Sequence, residues 1–394
     1  MTLRVAWVGP YDVMSVAHRM DQTFPPPFHP ATWIRNGALA LAEREDVELH
    51  ILTHDKRFVR DYRFTEGRLH FHFFRAPIPQ IPRPLALYQL DRWKYQRALE
   101  QIQPDIVHGH GTENLFSYVA VTSGFPHVIS IQAIIAHLFA QYRRLTRRAL
   151  EHAIVRHVER YTVRRAKHVI LKAPFAEPFV RSLNPTARTF LLENIVHEVF
   201  FGVQRGGGTP RRRIVFVGTV VETKGVEELI KAFRDLAPRY ADVDLHLIGF
   251  GPPAYVERVV LPMIRDLGDR VVLRGQLPSA ELAREFTYAT MVVLPSYFDT
   301  SPNVIAEAMV AGVPVIGTDV GGIPFMISHD RTGQLVPLRD VPALRGAIAR
   351  YLTDPALADA HSAAARDEAR QRFSRTRFVE TILGIYQSVL CGSS

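Results

Sequence analysis

Short apolar runs rich in β-branched residues alternate along the whole chain with longer stretches in which apolar positions recur every three to four residues. The short runs read as strands and the longer period as helices, so their alternation predicts parallel sheets wrapped by crossover helices. In the first half the expected strands are 3–8, 47–53, 69–74, 105–108, 127–131 and 168–171. The pattern then restarts with 213–218, 245–249, 271–273, 291–294 and 313–317, each closing on a Gly, a Pro or a polar residue ahead of a helix. Between the halves, Gln204 to Arg213 is a Gly/Pro/Arg stretch without periodicity, which reads as a hinge. The expectation is an α/β protein of two doubly wound domains, residues 1–203 and 204–372, with a last helix in 373–394 crossing back to the first domain. Ligands of open parallel sheets bind beyond the carboxyl ends of the strands, so two such domains predict one deep cleft lined by strand-to-helix loops.

A length of 394 residues exceeds what one hydrophobic core fills, which agrees with two domains. The single cysteine, Cys391, excludes a disulfide framework and a thiolate zinc site, and a cytoplasmic protein is expected. The apolar part of the first nine residues is too short for a secretory signal and reads as a strand. No run of about 20 apolar residues suits a membrane span. The net charge of +9 is uneven: residues 1–200 carry +8 of it and 14 of the 17 histidines. Such a domain suits anionic partners, but no nucleic-acid-binding motif accompanies the charge, so no nucleic acid is expected. Residues 143–172 hold ten Lys and Arg against Glu151 and Glu159. At 100° per residue Arg156, Arg160, Arg164 and Lys167 share one helical face, with Ile154, Val155, Val158 and Tyr161 opposite. That face suits an anionic membrane surface, the inner leaflet for a cytoplasmic protein; a solvated outer face of an ordinary packed helix is the plain alternative.

The densest chemistry lies between Leu294 and Pro324. A strand ends at Leu294, a polar loop follows, and a helix opens near Ser301 or Pro302, where free backbone amides and the helix dipole favour a phosphate. Asp299 stands in the loop and Glu307 two turns into the helix, so the two carboxylates can flank one ligand and accept hydroxyl hydrogen bonds at separate points. Asp242 and Asp244 mimic a metal-holding acidic pair. They precede their strand, at the wrong end of the sheet, and read as solvated turn residues.

The passage from Leu294 to Pro324 resembles the donor-binding signature of glycosyltransferase family four, the retaining enzymes of the GT-B fold with two Rossmann-like domains. The resemblance implies that Glu307 binds the ribose hydroxyls of a nucleotide. It also implies that Asp299 and the backbone of Thr300, Ser301, Pro302, Asn303 and Val304 hold the sugar and diphosphate. The family usually has Glu at the position of Asp299. Phe216 to Phe233 matches as well: Lys224 there is implied to stabilise the departing diphosphate, Gly218 ends the strand, and Thr219 stands where the family has an arginine. Gly249 and Gly251 match the glycine turn where the nucleotide approaches the backbone, and the stretch around Arg274 and Leu277 matches the cradle of the base. Gly321 and Gly322 match too, whereas Phe325 replaces a frequent glutamate.

The first domain resembles the family in outline. Gly9, ending the first strand, is expected near the phosphates. His108 and His110 are expected to line the cleft, His108 with a catalytic role, while a metal site on this pair lacks a third ligand. Gln132 stands where members often carry a histidine, and it cannot titrate near neutral pH. The long connection from Pro10 to Pro30, with Pro25 to Pro27 and His29, reads as acceptor-facing. The expected function is transfer of a sugar, with retention and without metal or cofactor, from a nucleoside diphosphate sugar to a hydroxyl of a glycan, lipid-linked or small-molecule acceptor. Two alternatives stay open: a catalytically silent sugar-nucleotide-binding or assembly subunit, and a synthase of the same fold acting on a phosphorylated acceptor.

Overall fold

A computed structural model describes residues 2–24, 31–76, 88–135, 147–206 and 211–392. They form two compact units, one of residues 1–195 with 375–394 and one of residues 196–374. The chain passes between units at 195/196 and 374/375, a little before the Gly/Pro/Arg stretch and a little after the start of the expected last helix.

The first unit is built on eight strands, β1 (Leu3–Val8), β2 (Val47–Asp55), β3 (Tyr62–Glu66), β4 (Leu69–Arg75), β5 (Ile106–His110), β6 (His127–Ile131), β7 (His168–Leu171) and β8 (Arg188–Leu191). Their order is β3-β4-β2-β1-β5-β6-β7-β8, parallel throughout except for β3, which pairs antiparallel with β4. Central strands such as β5 are buried along their length, because helices cover both faces of a parallel sheet. One face packs Val5, Trp7, Leu49, Ile51, Phe71 and Phe73 against Ile34, Phe378, Ile382 and Tyr386. The other packs Ala6, Val8, Leu52 and Val107 against Tyr95, Leu99, Leu115 and Val163.

The last helix, Arg375–Cys391, belongs to this first unit and packs on the helix Thr32–Ala42. A hydrogen-bonded chain fixes it. Trp7 Nε1 donates to Tyr386 Oη at 2.7 Å, and Tyr386 Oη lies 2.8 Å from His108 Nδ1. Indole only donates, so Tyr386 Oη accepts from Trp7, while burial keeps the His108 imidazole neutral with its Nε2 2.7 Å from Ser130 Oγ.

The second unit carries six parallel strands, β9 (Arg212–Val217), β10 (Val243–Ile248), β11 (Val271–Gly275), β12 (Ala289–Leu294), β13 (Val315–Thr318) and β14 (Gln334–Val336). Their order, β11-β10-β9-β12-β13-β14, places the loops after β9 and β12 side by side at the carboxyl edge. At the opposite edge Asp242 is an exposed turn residue as expected, paired with Arg212 at 2.7 Å, whereas Asp244 is buried on β10 and paired with Arg211 at 2.6 Å.

Candidate functional site

Adjacency of β9 and β12 brings together residues 75 positions apart. The turn after β9 reaches Lys224 and then Gly225, which has φ +70°; a Cβ there would lie 2.0 Å from the Pro295 carbonyl oxygen, so only glycine lets the two loops touch. Tyr297 N–H donates to Thr223 O at 2.9 Å and locks the contact. Lys224 Nζ is thereby held 2.5 Å from Asp299 Oδ2, a salt bridge with both side chains largely screened from solvent. Gly322 N–H donates to Asp299 O at 2.8 Å, so the Gly321–Gly322 turn supports the loop from behind.

The helix Asn303–Ala311 opens directly after this pair, with Pro302 at its N-cap and no side-chain cap. Thr300, Pro302 and Val304 are buried, and Ser301 and Asn303 half-buried. Glu307 lies two turns in. Among the described residues its carboxylate receives no hydrogen bond, and loss of water pushes its pKa up to about 7. A recessed acid without partners, one helix away from a lysine and an uncapped amide end, can accept hydroxyl hydrogens at one point while anionic oxygens are held at another.

The glycines knit the neighbouring strand ends. Gly218 N–H donates to Ile248 O at 2.9 Å and Gly249 N–H to Gly275 O at 2.7 Å. A Cβ on Gly249 would lie 1.9 Å from Gly218 O and one on Gly251 2.3 Å from Val220 O, so these backbones approach as side chains would forbid. Thr219 is half-buried beside them. Arg274 sits on β11 with its guanidinium 2.9 Å from buried Glu285, and Leu277 packs on the core. Glu285 also faces His246 at 3.3 Å and Arg213 at 3.5 Å. This buried network escaped the sequence reading, because its members are scattered over four elements. Phe325 lies under the Arg372 guanidinium, 4.2 Å from the ring centre.

In the first unit, Gly9 ends β1 with His110 so close that a Cβ would stand 2.8 Å from the His110 Cβ. His108 does not meet the expectation of a group acting on substrate. It is fully buried, both nitrogens are engaged, and burial holds it well below the usual imidazole range. His110 stacks on it at 3.8 Å, and among the described residues neither of its nitrogens has a partner. The two border a cavity of about 10 Å³, room for one water, with Trp7 and Lys172. Burial lowers the Lys172 ammonium to about 8. Gln132, after β6, likewise has a buried Nε2 without a partner among the described residues.

Two segments remain. Within the connection expected to face the acceptor, residues 10–24 anchor on the first core, where Tyr11 meets Phe71 at 5.3 Å and Phe24 meets Phe58 at 5.8 Å. Pro25 to Pro27 and His29 lie outside the described residues, as do 136–146. The helix Arg147–Arg165 turns Val158, Thr162 and Val163 inward together with Glu159, leaving Ile154, Val155 and Tyr161 half-buried. Glu159 accepts from Thr112 Oγ1 at 3.1 Å and from Ile135 N–H at 3.0 Å, and burial pushes it up to about 7. Arg156, Arg164 and Lys167 are exposed and Arg160 half-buried.

Comparison with known proteins decides the family. Residues 211–354 match the model of glycosyl transferases group 1, and residues 30–194 match that of a glycosyl transferase 4-like domain. The chain belongs to the group 1 glycosyltransferases. It is an enzyme that transfers glycosyl groups, which sets aside the silent-subunit alternative. Alpha-D-kanosaminyltransferase of Streptomyces kanamyceticus is 25% identical over 350 residues, covering 82% of this chain and 90% of that protein. Alpha-maltose-1-phosphate synthase of Mycolicibacterium smegmatis is 32% identical over 187 residues, 45% of this glycosyltransferase and about half (48%) of its relative. Sucrose-phosphate synthase from Thermosynechococcus elongatus superposes with a TM-score of 0.81 at 21% identity, over 99% of this chain and 100% of that one. Anabaena Alr3699/HepE, solved with UDP-glucose, gives 0.71 at 16% identity over 98% of this chain and 100% of that one. The fold is GT-B, as the sequence led us to expect.

Proposed function

We propose that this glycosyltransferase moves a sugar from a nucleoside diphosphate sugar to an acceptor hydroxyl, with retention and without a metal ion. The observation that carries the reading is the pairing of Lys224 with Asp299 at the head of a helix that holds Glu307 recessed and, among the described residues, without a hydrogen bond. In the proposed complex Glu307 accepts from the ribose hydroxyls. The diphosphate lies over the amides that open the helix Asn303–Ala311, and Lys224 turns from Asp299 to the β-phosphate, freeing Asp299 for sugar hydroxyls. The acceptor oxygen then attacks the anomeric carbon from the face the phosphate leaves. The carbon–oxygen bond to phosphate breaks, and the acceptor proton passes to the departing phosphate oxygen, so no protein nucleophile is required. Lys224 meets charge that grows in the transition state, and only such differential contacts accelerate the step.

Steady-state kinetics test this. Lys224→Ala is expected to lower kcat by about 10²-fold, with a smaller effect on donor affinity, and a chelator is expected to leave wild-type turnover intact. Kinetic constants within twofold of wild type for Lys224→Ala would remove the lysine from the mechanism. Loss of turnover on chelation, restored by a divalent ion, would overturn metal independence.

A phosphorylated acceptor is the second reading, favoured by the excess positive charge of the first 200 residues and by relatives such as the alpha-maltose-1-phosphate synthase. A lipid-linked acceptor is the alternative that exposed Arg156, Arg164 and Lys167 favour.

A further inference from the structure

A second chemistry-bearing cluster lies at the start of β2 and β4, the end of the sheet opposite Gly9 and His110. Period two puts Glu48 and His50 on one face of β2, and His70 and His72 on the same face of β4. The parallel register sets His70 directly beside His50, with ring centres 4.7 Å apart. Glu48 Oε1 lies 2.9 Å from His50 Nε2, and one ligand atom from each of Glu48, His50 and His70 falls within 4.8 Å of the others. The remaining ring nitrogens are already tied. His50 Nδ1 pairs with His72 Nε2 at 3.1 Å, and His70 Nδ1 with Thr65 Oγ1 on β3 at 3.0 Å.

We infer that Glu48, His50 and His70 form a binding site for a divalent transition-metal ion of the zinc class, with a fourth position open to solvent. Two imidazoles and a carboxylate are a ligand set zinc accepts, with one position left for water. A metal-bound histidine characteristically has its other nitrogen hydrogen-bonded, which fixes the tautomer and aims the ligating nitrogen; both histidines meet that condition here. Bonds of about 2.0–2.1 Å in a tetrahedron separate ligand atoms by about 3.3 Å, so side-chain rotations suffice to close the set. Arg4 is the opposing charge. Its Nε sits 3.3 Å from Glu48 Oε1, but Nη1 is held by Ile102 O at 3.1 Å, so it can remain on one carboxylate oxygen while the metal takes the other.

The site lies wholly on the first unit, shares no residue with the Lys224–Glu307 site of the second, and does not depend on the donor-site reading. Tag-free full-length protein, stripped with chelator, would be titrated with zinc chloride against a chromophoric competitor and separately with cobalt(II). One zinc per chain is expected, with a four-coordinate cobalt spectrum and a raised Tm. His70→Ala and Glu48→Gln are expected to weaken zinc binding at least 100-fold, and Thr65→Val by about 10–100-fold through His70. His70→Gln serves in place of His70→Ala should that variant not fold. Absence of stoichiometric zinc in wild type, or equal affinity in wild type and the ligand variants, would overturn the site and leave a hydrogen-bonded Glu–His cluster.

Discussion

Glu307 and Glu285 are acids of the same unit whose surroundings drive them in opposite directions. The hydrogen bond from His246, with Arg274 and Arg213 near, holds Glu285 below the usual carboxylate range despite its burial. Glu307 has only burial, and is carried up to about 7. Between its unfolded value near 4.5 and that raised value the folded protein binds the extra proton, so this residue lowers stability as pH rises through the window. Hydroxyl donors from a bound ribose favour the charged form and reverse the shift. Nucleoside diphosphate binding to wild type should therefore strengthen from pH 6 to pH 8 with release of a proton. In Glu307→Gln the profile should flatten to the nucleotide's own titration, and affinity at pH 8 should fall by about 1.5–3 kcal/mol, the size of a charged hydrogen bond. Calorimetry in buffers of different ionisation enthalpy reads both; identical profiles for the two proteins would remove Glu307 from the site.

The helix Arg375–Cys391 ties the end of the chain to its first strand through Trp7, Tyr386 and His108, a link spanning 379 positions. Tyr386→Phe would keep the packing and strand two buried groups, Trp7 Nε1 and His108 Nδ1, each costing about 1–3 kcal/mol. The unfolding transition of the first unit is expected to move to lower denaturant by a corresponding amount, and a shift under 0.5 kcal/mol would mean that the network carries little. The same network shows what a linear reading misses. The strand expected at 105–108 is found as β5, Ile106–His110, but which partner turns His108 from substrate is a matter of tertiary contact. Strands that are mostly apolar, such as β1 and β12, were legible because a parallel sheet buries both faces. Strands β3, β8 and β14 were not. β3 is a polar edge strand in a hairpin, β8 is partly exposed, and β14 is three residues long. Lys224, Asp299 and Glu307 stood out as loop and helix-start residues, whereas Glu285 did not stand out and Glu159 figured only in a charge count, because their partners are brought to them by tertiary contact.

At the scale of the whole chain the +9 charge is concentrated in the first half, and no helix among the described residues is long and apolar enough to cross a membrane. If exposed Arg156, Arg164 and Lys167 meet anionic lipid, each contributes ~1 kcal/mol near the surface. Sedimentation with anionic vesicles should then deplete the protein at low salt and not at high salt, where exposed charges are screened. Binding that ignores lipid charge or salt would leave a dissolved acceptor as the better reading. The two matched family segments, 30–194 and 211–354, lie one on each unit, so the central claim concerns the reaction they perform together. Its most direct test is the anomeric configuration of the product, read by NMR after incubation with a panel of nucleoside diphosphate sugars and acceptors. The account predicts a glycoside with the donor's own configuration; an inverted product would contradict it.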